Sequence, residues 1–117
     1  MLDRMPAWLM AAFIFLFAVA TMAQLAHAET GIASVYGSES GSRRADGRRF
    51  RPSEIGCAHR TRRLGSVVRV TVIKTGRSIV CPVNDRGPAA WTHRLIDLSV
   101  GAAKALGVSG LARVRID

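Results

Sequence analysis

Asn84-Asp85-Arg86-Gly87-Pro88 follows the apolar run Ser78-Ile79-Val80-Cys81-Pro82-Val83. The run is rich in β-branched residues and reads as a strand. Gly87 and Pro88 then end any ladder. Glycine permits unusual backbone angles, and proline fixes φ and has no N–H to donate. An acid held where a strand gives way to a rigid turn is well placed to serve as a fixed catalytic carboxylate. The competing reading is an Asx-turn, in which Asn84 or Asp85 caps its own backbone.

The chain has 117 residues, enough for one small domain. Its first 28 residues read differently from the rest. Arg4 precedes a long apolar run over residues 7–23, and Ala26-His27-Ala28 fits a small-x-small cleavage site. That is the pattern of a secretory signal peptide. An uncleaved anchor is the competing reading, because the run approaches spanning length. Cleavage after Ala28 is favoured, which divides the chain into a signal peptide, 1–28, and a single domain, 29–117. No cysteine follows the cleavage site directly, so no lipid-anchored form is expected.

Cys57 and Cys81 are the two cysteines. In an exported domain an even pair reads as one disulfide, and two buried thiols are the alternative. A loop of that length would contribute about 3 kcal/mol in the chain-entropy model. Two cysteines and three histidines do not make a zinc site, so neither metal nor cofactor is expected. The net charge is +9, and removing the leader leaves it unchanged, since Asp3 and Arg4 leave together. A strongly basic exported domain suits an anionic partner such as a cell-wall polymer or anionic lipid. Nucleic acid is not expected, because exported proteins rarely meet it.

Hydrophobic periodicity places the elements. Residues 31–36 form a first strand. Residues 38–51 are polar, with Arg43, Arg44, Arg48, Arg49, Arg51 and an Asp46-Gly47 turn, and read as a surface loop. Residues 52–55 suit one helical turn opened by Pro52. Residues 67–73 are the clearest strand, with Val68, Val70 and Val72 on one face. Residues 74–77 connect it as a hairpin to the 78–83 strand. Residues 95–98 form a short strand, and Ser99 caps a helix over 100–106 that Gly107 ends. Residues 111–116 alternate, with Ala112, Val114 and Ile116 facing inward. Short strands, one small helix and long loops suggest a compact β-barrel.

The region after the leader resembles the rare lipoprotein A family of bacterial cell-wall proteins. The landmarks, in order, are Gly31-Ile32-Ala33-Ser34-Val35-Tyr36-Gly37, Ala45-Asp46-Gly47, Ala58-His59, Leu64-Gly65 and Val68-Arg69-Val70-Thr71. Gly76-Arg77-Ser78, Val83-Asn84-Asp85-Arg86-Gly87-Pro88 and Arg94-Leu95-Ile96-Asp97-Leu98-Ser99 follow. The resemblance implies an all-β, six-stranded double-psi β-barrel. It also implies a lytic transglycosylase that cuts glycan strands of peptidoglycan, preferably strands lacking stem peptides. The chain departs from the family pattern at Arg48, where a glutamate is common, and at Arg51. Members with septal roles also carry a lipid-anchoring cysteine and a separate glycan-binding domain, which this sequence does not show.

A hydrolytic glycosidase needs two carboxyl groups. A lytic transglycosylase needs fewer, because the muramic acid C6 hydroxyl attacks its own anomeric carbon at high effective concentration. One acid can protonate the leaving oxygen and then accept the hydroxyl proton. Asp85 is the expected catalytic group. His59 is the second, either hydrogen-bonded to Asp85 or supplying the proton itself. Arg86, Asn84, Arg48 and Tyr36 are expected to bind substrate, the arginines through carboxylates or hydroxyls and Tyr36 by stacking on a sugar ring. Trp91 is an alternative stacking group. Asp97, between Ile96 and Leu98, is expected to tie strands or loops together.

The expectation is a monomeric periplasmic or secreted enzyme on glycan strands, with no stable membrane association after signal cleavage. A non-catalytic glycan-binding module is the rival, favoured by the charge reversal at Arg48. A membrane-active basic protein is a third reading, and the lack of a long basic amphipathic helix counts against it.

Overall fold

The computed structural model describes residues 6–8, 28–37 and 41–117. Most of the expected signal peptide therefore lies outside the described residues. No helix among the described residues is long and apolar enough to cross a membrane.

Six strands close into a barrel: β1 (Glu29–Tyr36), β2 (Cys57–Ala58), β3 (Val67–Val72), β4 (Ser78–Asp85), β5 (Ile96–Ser99) and β6 (Ala112–Ile116). Their order around the barrel is β1-β5-β2-β4-β3-β6. β1 with β5 and β2 with β4 run parallel, and the other neighbours are antiparallel. Closure gives every strand a neighbour on each side, which limits the edge left to recruit a foreign strand.

Side-chain alternation builds the core. Val68, Val70 and Val72 from β3 meet Cys81 and Val83 from β4, Ile96 and Leu98 from β5, and Val114 and Ile116 from β6. Burying one such valine or leucine stabilises the fold by roughly 1.5–3 kcal/mol. The strands expected at 31–36, 67–73, 78–83, 95–98 and 111–116 are all present, with ends shifted by one or two residues. The exception is β2. Two residues carry no readable alternation, and the pairing of β2 with β4 and β5 is what makes it a strand.

Between β5 and β6 lies α1 (Val100–Leu106). Ser99 is its N-cap, accepting the Ala102 N–H at 3.1 Å. The same hydroxyl accepts the Gly56 N–H at 3.1 Å and donates to the Glu54 carbonyl at 2.6 Å. One serine thus satisfies a helix end and fastens the segment that leads into β2. Gly107, with φ 72°, closes the helix in the left-handed region. The expected turn after Pro52 is one turn, closed by the Glu54 N–H on the Arg51 carbonyl at 3.1 Å.

Cys57 and Cys81 form a disulfide between neighbouring β2 and β4, with Cα atoms 6.2 Å apart. Both sulfur-bearing residues are fully buried. The bridge clamps together the two strands whose ends carry His59 and Asp85.

Candidate active site

Asp85 is the last residue of β4, half-buried at the rim of the barrel. Its Oδ1 accepts two backbone N–H groups, from Arg86 at 2.9 Å and from Ala45 at 3.0 Å. Oδ2 accepts no hydrogen bond from a described residue. The Asx-turn reading is thus half of the arrangement. The carboxylate does bond its own turn, but its second donor comes from the 41–50 loop. That loop is a small hairpin bridged between Arg43 and Arg49, with Asp46-Gly47 at its tip. Arg44 binds Asp46 through two nitrogens, at 3.0 and 2.8 Å. Burial pushes the Asp46 carboxyl up, but hydrogen bonds from the Arg44 side chain and the Arg48 N–H outweigh it and hold the group below the usual range.

Gly87 follows at φ 128°, a backbone conformation that favours glycine. A Cβ at Gly87 would lie 3.5 Å from Asp97 Oδ2, so the turn after Asp85 runs close beside Asp97. Asp97 faces out of β5, opposite to buried Ile96 and Leu98, as its position between them predicts. Its carboxylate accepts the hydroxyl of Ser34, its register partner on β1, and Arg94 lies 3.8 Å away.

Tyr36 ends β1 under the same rim. Its ring stacks on Phe50 with centroids 5.1 Å apart, so the face expected to meet a sugar is already partly covered by a neighbour. Its hydroxyl is buried and has no hydrogen-bond partner among the described residues. Burial first, then the charges of Asp85 and Asp97, push the phenol well above its ordinary value, with Arg44 opposing. The hydroxyl therefore stays protonated, within electrostatic reach of two carboxylates. Asp97 ties β5 to β1 as expected, and what sequence reasoning missed is its nearness to the Asp85 turn. The available signal was its outward position next to the Asp85 turn, which only strand pairing could convert into proximity.

His59 is buried just after β2. Of the two roles expected of it, the hydrogen bond to the Asp85 carboxylate is not made. Nδ1 instead accepts the Thr61 and Arg62 N–H groups at 3.1 and 3.0 Å. This assigns the proton of the neutral ring to Nε2. The link to Asp85 is through the main chain, where the His59 N–H donates to the Asp85 carbonyl at 3.2 Å. Burial lowers the imidazole pKa, opposed by Glu29 and reinforced by Arg62, Arg60 and Arg86. Arg86 donates to the carbonyls of His59, at 3.1 Å, and Arg62, so its guanidinium braces the same loop.

A groove of about 550 Å³ runs beside this rim, lined by Arg44, Arg48, Ile55, Leu64, Pro82 and Asn84 among others. Asn84 thus connects the groove to Asp85, its neighbour in sequence. Arg44 is committed to Asp46, whereas the Arg48 side chain forms no ion pair among the described residues. Trp91 sits apart on a 3-10 turn, Ala90–Thr92, and is 81% exposed. Among the described residues no three His, Cys, Asp or Glu side chains cluster as a metal site would require.

A family model described as lytic transglycolase matches residues 28–116. The chain is 43% identical to a probable endolytic peptidoglycan transglycosylase RlpA of Synechocystis, over 97% of this chain and 35% of that one. It is 46% identical to the endolytic peptidoglycan transglycosylase RlpA of Yersinia pestis, over 76% and 25% respectively. It therefore spans about a quarter to a third of the length of these relatives. Among solved structures it is similar to the Streptomyces papain inhibitor, with TM-score 0.59 and 22% identity over 76% of this chain and 92% of that one. That last likeness is one of fold alone.

Proposed function

The chain belongs to the lytic transglycolase family of RlpA-like double-psi β-barrels, and on that premise we propose that it cleaves peptidoglycan glycan strands to 1,6-anhydromuramic ends. The observation that carries the reading is the setting of Asp85. Its Oδ1 is fixed by two N–H donors, its Oδ2 accepts no hydrogen bond from a described residue, and its chain neighbour Asn84 lines the groove. A group held this way needs no reorganisation when the reaction begins.

In the proposed step the bond from the anomeric carbon of muramic acid to its leaving oxygen breaks. That oxygen takes a proton from Asp85. The C6 hydroxyl closes on the anomeric carbon and gives its own proton to the same carboxylate, which restores the acid. Water is not consumed. Arg48 and Asn84 line the path of the strand, and Arg86 and His59 keep the Asp85 rim in shape. The preferred strands lack stem peptides. Residues 29–117 form the acting domain after removal of residues 1–28, in the periplasm or outside the cell, as a monomer without a lasting membrane anchor or a cofactor.

A glycan-binding module without catalysis is the second reading. Arg48 favours it, because a cation with no ion pair among the described residues lines the groove where the family commonly has a glutamate. The deciding experiment incubates the chain with denuded glycan strands and looks for anhydro ends by mass spectrometry across pH 5 to 8. Strand binding without anhydro ends would leave the module reading in place.

A further inference from the structure

The outward face of β3, β4 and β6 takes no part in the site just described. Because Val68, Val70 and Val72 point into the core, Val67 and Arg69 point out of β3. By the same alternation Val80 points out of β4, and Arg113 and Arg115 point out of β6. The strands are in register. Arg69 stands opposite Val80, Arg115 opposite Thr71, and the Ile73 N–H donates to the Arg113 carbonyl at 3.1 Å. The result is one surface on which arginines and aliphatic side chains interleave. Val67 is 61% exposed, Val80 56% and Ile73 49%. Arg115 has an acidic neighbour, Asp117, at 3.1 Å; Asp117 also exchanges both main-chain hydrogen bonds with Arg69, and neither Arg69 nor Arg113 forms an ion pair among the described residues.

We infer that this face docks reversibly on an anionic lipid surface. The arginines meet headgroup phosphates while their stems and the three aliphatic side chains settle at the acyl boundary. The mixture selects this occupant. A hydrated polyanion would pair with the arginines but gain nothing from the exposed aliphatics. A second copy docked through the same face would set arginines against arginines. β3, at the centre of this face, is paired on both sides, to β4 and to β6, so its edges are closed to β-augmentation. Pro82 pairs with Val67 and lines the groove, so the docked face begins where the groove ends. A barrel lying on lipid this way keeps its groove open to a polymer alongside the bilayer.

The test is arginine footprinting of residues 29–117 with phenylglyoxal, read by mass spectrometry, and it does not depend on catalysis. The chain is mixed at low salt with vesicles of phosphatidylglycerol or of phosphatidylcholine. Arg69, Arg113 and Arg115 are expected to react several-fold more slowly on the anionic vesicles, with exposed Arg49 and Arg63 unchanged and the protection reversed by salt. Equal reactivity on both lipids overturns the proposal. So does a slowing spread evenly over all five arginines, which is adhesion of a +9 protein and nothing more. The double variant Val67→Ser, Val80→Ser keeps the charge and is expected to lose much of the protection. If it does not, or if soluble polyglutamate protects as well as vesicles, the face reads charge alone and lipid docking is wrong.

Discussion

The main-chain N–H of Ala45 donates to Oδ1 of Asp85 at 3.0 Å, across 40 positions of sequence. That bond joins the tip region of a polar hairpin to the end of a core strand. It means that the carboxylate proposed as the acid is also a fastener for the loop that walls the neighbouring groove. Changes to Asp85 therefore act on chemistry and on loop order together, and experiments must separate the two.

Asp85→Asn keeps an oxygen that can still accept the Ala45 and Arg86 N–H groups but removes the exchangeable proton. Release of anhydro ends is expected to fall by about 10²–10⁴-fold, the usual contribution of one acid–base group. Glycan binding and the melting curve are expected to stay near wild type. A variant that releases ends at the wild-type rate would remove Asp85 from the chemistry.

Replacing Cys57 and Cys81 together by alanine, or reducing the bridge, is expected to destabilise the fold by about 2–5 kcal/mol, as for native disulfides of small secreted domains. The bridge joins strands whose ends hold His59 and Asp85, so activity should decline at temperatures where the oxidised protein is still active. Denaturant titration with and without reductant gives the stability difference.

Gly101→Ala is expected to destabilise the protein even though alanine is the better helix former by about 1 kcal/mol. A Cβ at this position would stand 2.2 Å from the Ser53 carbonyl oxygen, and the Gly101 N–H donates to the Pro52 carbonyl at 2.9 Å. The 52–54 turn would have to move off α1, loosening the segment that Ser99 fastens. A melting temperature at or above wild type would show that the turn yields cheaply.

His59 gives the fold a pH dependence whose sign follows from its environment. Burial lowers its folded-state pKa below the ordinary value of 6.5. Below about pH 6.5 the unfolded chain therefore binds more protons than the folded one at this site. Stability from His59 is present above that pH and is lost as pH falls from there through the folded-state value. Melting temperatures measured from pH 7.5 down to pH 5 should decline, and the decline should be shallower in His59→Asn. Equal slopes in the two proteins would assign the effect to other groups.

Much of the barrel was legible because its signals are local. Alternation marked β3 and β6, and an apolar run rich in β-branched residues marked β4; their inward valines and isoleucine share one core. Ser99 and Gly107 marked the ends of α1, since capping chemistry acts within one turn of the backbone. The two cysteines could be paired because there was one way to pair them. Asp85 was singled out for the same kind of local reason: an acid before Gly-Pro at the end of an apolar run.

What tertiary structure decided was everything that depends on register between distant segments. β2 has two residues and exists because β4 and β5 flank it. The parallel β1–β5 pairing sets Ser34 against Asp97, and the Gly87 turn then brings Asp97 beside the end of β4. The buried Tyr36 hydroxyl came under the influence of both carboxylates by the same route, and Phe50 took the ring face that a sugar was expected to use. His59 turned its imidazole into its own loop because two backbone N–H groups there needed an acceptor, leaving the main chain to reach Asp85. Periodicity reports which way a side chain points from its own strand. It carries no record of which strand lies alongside, and that adjacency is fixed by barrel closure and by pairing every main-chain donor and acceptor.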